Sequence, residues 1–257
     1  MGISERKFSL SANAIKLIAV IAMLIDHIGW AFVDISTPLG QLMHFIGRFT
    51  APLMCFFIAE GYYYTKDLEK YKKRLLIFAL ISHFPFLING TLTKPPLYYA
   101  EGKLTVNDEL FVPLTGVIFT LFLGLWALEF LKSNRKTAVK ALGLMVIFLL
   151  SLMGDWIFFA VLWIIAFGMN RGDLKKQLIW YYVIAFSEIT VFLIPICAGM
   201  ASLSSIIWQL GVLVPPLFII LYNGQIGKGG RIFKYFFYWF YPIHLLVIGV
   251  LKWYVFR

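Results

Sequence analysis

Charge is what this sequence has least of. Asp and Glu number 13 and Lys and Arg 23 in 257 residues, so only 14% of the chain is charged. A soluble domain is about a quarter charged and about half apolar. Here 61% of the chain is hydrophobic and the mean hydropathy is +0.83, which excludes a water-soluble domain and implies an integral membrane protein. Cysteine is as scarce. Cys55 and Cys197 lie far apart in apolar stretches without CxxC or CxxH spacing, which argues against a zinc site or a redox pair and leaves two packing residues. The 4 histidines lack metal-ligand spacing, so no metal is expected. Nucleophile elbow, Walker loop, dinucleotide fingerprint, internal repeat and low-complexity tract are all missing.

What is present is a series of apolar stretches. Backbone in hydrocarbon must satisfy its own hydrogen bonds, and each helical crossing needs about 20 residues. The stretches over 12–33, 40–63, 74–90, 110–131, 138–153, 156–169, 178–198, 203–222 and 232–254 therefore predict an all-α polytopic bundle of about nine transmembrane helices in one domain, 1–257. The fifth and sixth are short and joined by Gly154-Asp155-Trp156, so they read equally well as one hairpin that stops short of spanning. The first follows Arg6 and Lys7 as a signal peptide would, but it carries Asp26 and His27 without a convincing cleavage site and is expected to stay as a spanning helix.

Lys and Arg accumulate in cytoplasmic loops. With the N-terminus inside, the inner segments hold Arg6 and Lys7; Lys66, Lys70, Lys72, Lys73 and Arg74; Lys132, Arg135, Lys136 and Lys140; Arg171, Lys175 and Lys176; and Lys228, Arg231 and Lys234. The outside keeps only Lys94, Lys103, Lys252 and Arg257, and an odd number of crossings puts the C-terminus there. Most of the net charge of +10 follows from this sorting, so nucleic acid is not an expected partner. The longest polar stretch, NGTLTKPPLYYAEGKLTVNDE over 89–109, falls outside as an extracytoplasmic loop.

Within the apolar spans a few ionisable residues stand out, because a charge near the middle of a spanning helix costs roughly 2.5–3.5 kcal/mol on insertion scales. On the first helix Lys16 and His27 share one stripe, roughly 16 Å apart along the axis, with Asp26 turned about 100° away. On the second, His44 and Arg48 lie one turn apart and Glu60 falls near the inner end. Arg48 keeps its proton and needs a counter-charge, for which Asp26 is the natural candidate. Glu188 and His244 lie near the midplane of later helices, His244 two residues after Pro242, where proline leaves a carbonyl free. The glycine-rich, basic GQIGKGGR over 224–231 suits phosphate, or equally a flexible inner loop. A histidine general base with a carboxylate beside it is the chemistry such a set supports.

The order of LSANAIKLIAVIAMLIDHIG, IGRFTAPLMCFFIAEGYYYTKD, YKKRLLIFALISHFPF and LYNGQIGKGGRIFKYFFYWFYPIHLL resembles the TraX family of membrane proteins over nearly the whole chain. That family includes the enzyme that acetylates the N-terminus of F-type pilin and is related to the membrane acyltransferases that modify sugars and surface polymers. The resemblance implies a multi-pass protein of the bacterial inner membrane and a cytoplasmic acetyl-CoA donor. In that frame Lys16, Lys228 and Arg231 hold its nucleotide and phosphates, His27 acts as base or as the nucleophile that forms an acyl-histidine, Asp26 holds the imidazolium, and Arg48 balances charge or polarises the carbonyl. The acceptor would be a peptide, a sugar, a surface polymer or a lipid head group, with Tyr62, Tyr63, Tyr64, Tyr98 and Tyr99 as pocket candidates. Two positions depart from the family's pattern. His83 stands where Gln is expected, and Trp-Ile-Phe follows Asp155 where Tyr-Gly is expected, so neither His83 nor that turn is given a catalytic role. A proton-coupled transporter or flippase would use the same intramembrane Asp, His, Glu and Arg, and a scaffold would use them to lock helices together.

Overall fold

The computed structural model describes residues 9–200 and 202–256, the side chains of residues 203, 204, 231 and 234 excepted. Helix α1 (Ala12–Phe32) opens at Ser11, whose Oγ accepts the Ala14 N–H at 3.3 Å. Thr37 does the same for α2 (Pro38–Gly47), with proline at the first position, where its missing N–H costs nothing. Helices α2 and α3 (Thr50–Tyr64) form one rod broken at Arg48 and Phe49, because Pro52 offers no N–H to the Arg48 carbonyl. Helices α4 (Leu68–Gly90) and α8 (Leu174–Cys197) are capped by Asp67 and Asp173, which accept from Lys70 N at 2.9 Å and Lys176 N at 3.1 Å. Between them lie α5 (Val117–Lys132), α6 (Thr137–Ser151) and α7 (Ile157–Met169). A 3-10 segment, Leu203–Leu213, leads into α9 (Pro215–Ile220), and α10 (Gly230–Val250) widens into a π turn over Leu251–Val255.

Among the described residues, four rods are long and apolar enough to cross a membrane: Ala12–Phe32, Pro38–Tyr64, Leu174–Cys197 and Tyr235–Val255. With large apolar side chains such as Leu80, Leu142, Ile179 and Val183 more than half exposed, the molecule is a helical membrane protein whose surface is built for lipid. The expectation of nine full crossings is not met by length. Helices α5, α6 and α7 have 16, 15 and 13 residues, and at 1.5 Å per residue they reach only about 20–24 Å against a hydrocarbon core of about 30 Å. Their shortness has a structural cause. The stretch expected as a span from 110 starts as a helix only at Val117, after a 3-10 turn over Asp108–Phe111. The α6–α7 turn folds onto that start, with Asp155 N–H donating to Thr115 O at 2.8 Å and Thr115 N–H to Met153 O at 2.7 Å. The fifth and sixth stretches form two short helices joined by that turn.

Helix α1 lies between the α2–α3 rod and α10, while α3, α5 and α7 pack together and α10 packs along α4. The main core, around Leu53, Phe56, Leu125, Trp163 and Tyr181, sits where α3, α5, α7 and α8 meet. Cys55 is buried in that core, whereas Cys197 is exposed. The polar loop holds an antiparallel hairpin, β1 (Leu97–Ala100) with β2 (Lys103–Val106), that helical periodicity had no means of announcing.

Candidate active site

A cavity of about 860 Å³ opens between α1, α3, α4 and α10 at the end of the bundle that carries the N-terminus of α1. Asn13, Lys16, Glu60, Tyr64 and Arg74 stand near its mouth, apolar side chains line its length, and Met23, Thr50, Ala51, Val117 and Tyr241 close it. Those five residues also wall a second, much smaller void, which contains Asp26, His27, Gly47, Asp155 and Trp156. The large cavity thus ends one layer of side chains below His27. From Lys16 to His27 the rise along α1 is roughly 16 Å.

Each histidine of this layer has a defined partner. His244 Nδ1 lies 2.7 Å from Phe240 O, and His244 Nε2 lies 2.9 Å from His27 Nδ1. A carbonyl oxygen only accepts, so His244 Nδ1 carries the proton and neutral His244 presents a bare Nε2. His27 Nδ1 must then donate to it, which leaves the His27 Nε2 lone pair free as a base. The carbonyl used is Phe240's, one turn before His244, and not that of Tyr238, which Pro242 frees. On the other side of α1, Asp26 Oδ1 meets His44 Nδ1 at 2.8 Å, with His44 fully buried. Close approach makes this possible, since a Cβ on Gly47 would fall 2.2 Å from Asp26 Oδ1 and one on Gly29 3.1 Å from His44 Cε1.

The expected Asp26–Arg48 pair is therefore replaced by Asp26–His44. Arg48 sits at the break between α2 and α3, and its guanidinium lies over Trp156 at 4.2 Å and Trp208 at 4.4 Å, with Nε lacking a hydrogen-bond partner. Asp155 and Glu188 act on it electrostatically from beyond ion-pair distance. Nor does Arg48 line the large cavity, so it is not placed to hold a ligand there. Glu188 is 2% exposed with Oε2 unpartnered, apart from the His27 void. Glu60 is held by Arg171, whose Nε donates to Oε1 at 2.9 Å.

At the mouth, Lys16 Nζ lies 4.9 Å from the Phe57 ring centre, with no carboxylate at ion-pair distance among the described residues. Lys228 is exposed and contributes its carbonyl, which accepts from Asn13 Nδ2 at 2.8 Å; its side chain does not line the cavity. The 224–231 loop is strapped to α1 by Ala12 N–H to Gln225 O at 2.8 Å and Asn13 N–H to Ile226 O at 3.0 Å, so α1's first amides are already used. The Arg231 side chain lies outside the described residues. Among the tyrosine candidates Tyr64 alone reaches the cavity. His83 stacks edge-on with Phe84 at 5.3 Å, away from both voids.

Two residues escaped the sequence reading. Arg74 looked like one more inner-loop cation, but it lines the cavity with Nε unpartnered. Asp155 sits on the turn that had been set aside. Helix α7 falls about 20 Å from Met169 to Ile157 and α1 rises about 22 Å from Ala12 to His27, so the short hairpin delivers Asp155 to the histidine's depth. The turn is strained there, with φ +62° at Trp156 and +34° at Ile157. A left-handed non-glycine residue costs about 1–2 kcal/mol, and such strain gathers at functional sites.

No solved structure matches the chain. Among curated proteins it is 33% identical over 250 residues, 95% of its own length and 96% of the relative's, to a probable fimbrial assembly protein FimC, serogroup H1, of Dichelobacter nodosus. It is also 26% identical over 191 residues, 65% of this chain and 73% of the relative, to an uncharacterized protein of Rickettsia prowazekii. The family model described as TraX protein matches residues 11–252, and with that relative covering almost the whole length the chain belongs to the TraX family.

Proposed function

We propose that this protein is a membrane-embedded acyltransferase that moves an acetyl group from cytoplasmic acetyl-CoA to an amine or hydroxyl acceptor, in a bacterial inner membrane with the N-terminus inside. The single observation that carries this reading is the alignment of the large cavity, its cationic mouth and the His27 layer at its closed end. A cavity of about 860 Å³ suits a cofactor-sized ligand, since such sites run about 300–1,000 Å³. Lys16 and the unpartnered Nε of Arg74 suit its phosphates, and the apolar walls suit its pantetheine arm. When bound, the thioester supplies an activated acyl group.

In this reading His27 Nε2 takes the proton of the acceptor as its nitrogen or oxygen attacks the thioester carbonyl. The C–S bond breaks, and the imidazolium returns the proton to the departing thiolate, so protons and electrons balance. His244 keeps His27 in the productive tautomer, and Asp26, within electrostatic range, favours the imidazolium while it lasts. Transfer of labelled acetyl from acetyl-CoA to a panel of amines and hydroxyls by protein in proteoliposomes tests the proposal. Turnover should vanish in His27→Ala with unchanged thermal unfolding; retained turnover would remove His27 from the chemistry.

A second reading, a proton-coupled transporter, draws on the unpartnered Oε2 of buried Glu188, on which Arg48 acts electrostatically. It predicts proton flux that depends on Glu188 and needs no acyl-CoA.

A further inference from the structure

The hairpin β1–β2 turns its apolar side out. Register pairs Leu97 with Val106 and Tyr99 with Leu104, so these four side chains share one face, exposed by 47%, 53%, 76% and 62% respectively. On the opposite face Tyr98, Ala100 and Thr105 are half-buried, and Lys103 at the turn is exposed. A hairpin meeting water on one side shows the reverse alternation. Its attachment says which medium it meets instead. Leu97 N–H donates to Tyr254 Oη at 3.1 Å, and Tyr254 O–H donates back to Leu97 O at 3.3 Å, which ties β1 to the end of the α10 rod. Beside it, Trp253 Nε1 donates to Ile88 O at 2.8 Å and Lys252 Nζ to Asn89 O at 3.2 Å. Trp253 and Tyr254, side by side at the end of a spanning rod, form the aromatic belt that marks the lipid–water interface. Below this belt the two rods the hairpin is tied to, α4 and α10, also expose large apolar side chains, Leu80, Phe84, Ile243 and Val247 among them.

We propose that the β1–β2 hairpin is a membrane foot, its Leu97, Tyr99, Leu104 and Val106 face seated in the lipid interface at the end of the bundle away from the cavity mouth. A two-stranded hairpin has open edges whose N–H and C=O groups need water, so it cannot enter the hydrocarbon core. Insertion therefore stops about 5–10 Å deep, at the boundary of head groups and acyl chains.

The test uses the full chain with Cys197→Ser, in nanodiscs of phosphatidylcholine and phosphatidylglycerol. Leu104→Cys and Lys103→Cys, neighbours on opposite faces of β2, each carry an environment-sensitive fluorophore, and thermal unfolding confirms that both fold. The probe at 104 should emit to the blue of that at 103, be quenched by spin-labelled lipid and be shielded from iodide, with the reverse at 103. Equal iodide quenching at both positions would mean that the hairpin stands in water. Shielding of position 104 from both quenchers would mean that protein covers the face. Either result overturns the proposal.

Discussion

At the scale of single residues, the positions of the protons in the proposed site follow from hydrogen-bond donors and acceptors. Phe240 O can only accept, so a neutral His244 presents its bare Nε2 to His27 Nδ1–H, and His27 Nε2 keeps its lone pair. His244→Ala removes the acceptor for His27 Nδ1–H, so turnover should fall about tenfold to a hundredfold with the KM for acetyl-CoA unchanged. His244→Gln, whose amide oxygen accepts the same bond, should recover part of the loss. A fall in affinity in place of a fall in kcat would make His244 a binding residue. Gly47 tests the packing of the other dyad. Adding a Cβ 2.2 Å from Asp26 Oδ1 should cost about 1–3 kcal/mol in unfolding, while Gly90→Ala, with nothing within 4 Å, should not destabilise. His27, Asp26, His44 and His244 could be singled out from the sequence because a polar group in an apolar helix is conspicuous. Their pairing could not, because which partner each meets depends on how closely the Gly29 and Gly47 contacts let α2 approach α1.

At the scale of elements, height decides function. Apolar length revealed α1, the α2–α3 rod, α8 and α10, since each is a continuous stretch long enough to cross. Asp155 stayed hidden because it belongs to a turn, and a turn's depth depends on the lengths of the two helices that carry it. Lengthening α6 and α7 by one turn each would lift Asp155 by about 5.4 Å, out of the His27 void. Such a protein should still fold and bind acetyl-CoA but lose turnover; unchanged turnover would show that Asp155 has no part in the site. The caps behave differently. Asp67 and Asp173 accept backbone N–H bonds that hold their carboxyls below the usual value. A lowered folded-state pKa contributes stability that is present above the unfolded value and lost as pH falls through the folded one. Melting temperature should therefore drop as pH falls below about 4, and Asp67→Asn with Asp173→Asn, which keep the caps uncharged, should flatten that slope.

At the scale of the whole molecule, the proposed reaction is directional: donor from one face, chemistry in the membrane, acceptor from the other. The cation bias over the loops predicts an orientation, whereas the cavity was invisible because its wall comes from α1, α3, α4, α5 and α10 together. With Cys197→Ser as background, an impermeant maleimide should label Lys175→Cys only from inside and Lys103→Cys only from outside. In the proposed enzyme the cavity holds an acyl-CoA with its phosphates at Lys16 and Arg74 and its thioester toward His27. Binding of acetyl-CoA to the purified protein in nanodiscs tests it most directly, with Lys16→Ala, Arg74→Ala and His27→Ala alongside. Binding should persist in His27→Ala and weaken about tenfold in each cation variant, the loss of one charge-assisted contact. Absence of binding by any acyl-CoA, or binding indifferent to both cations, would contradict it.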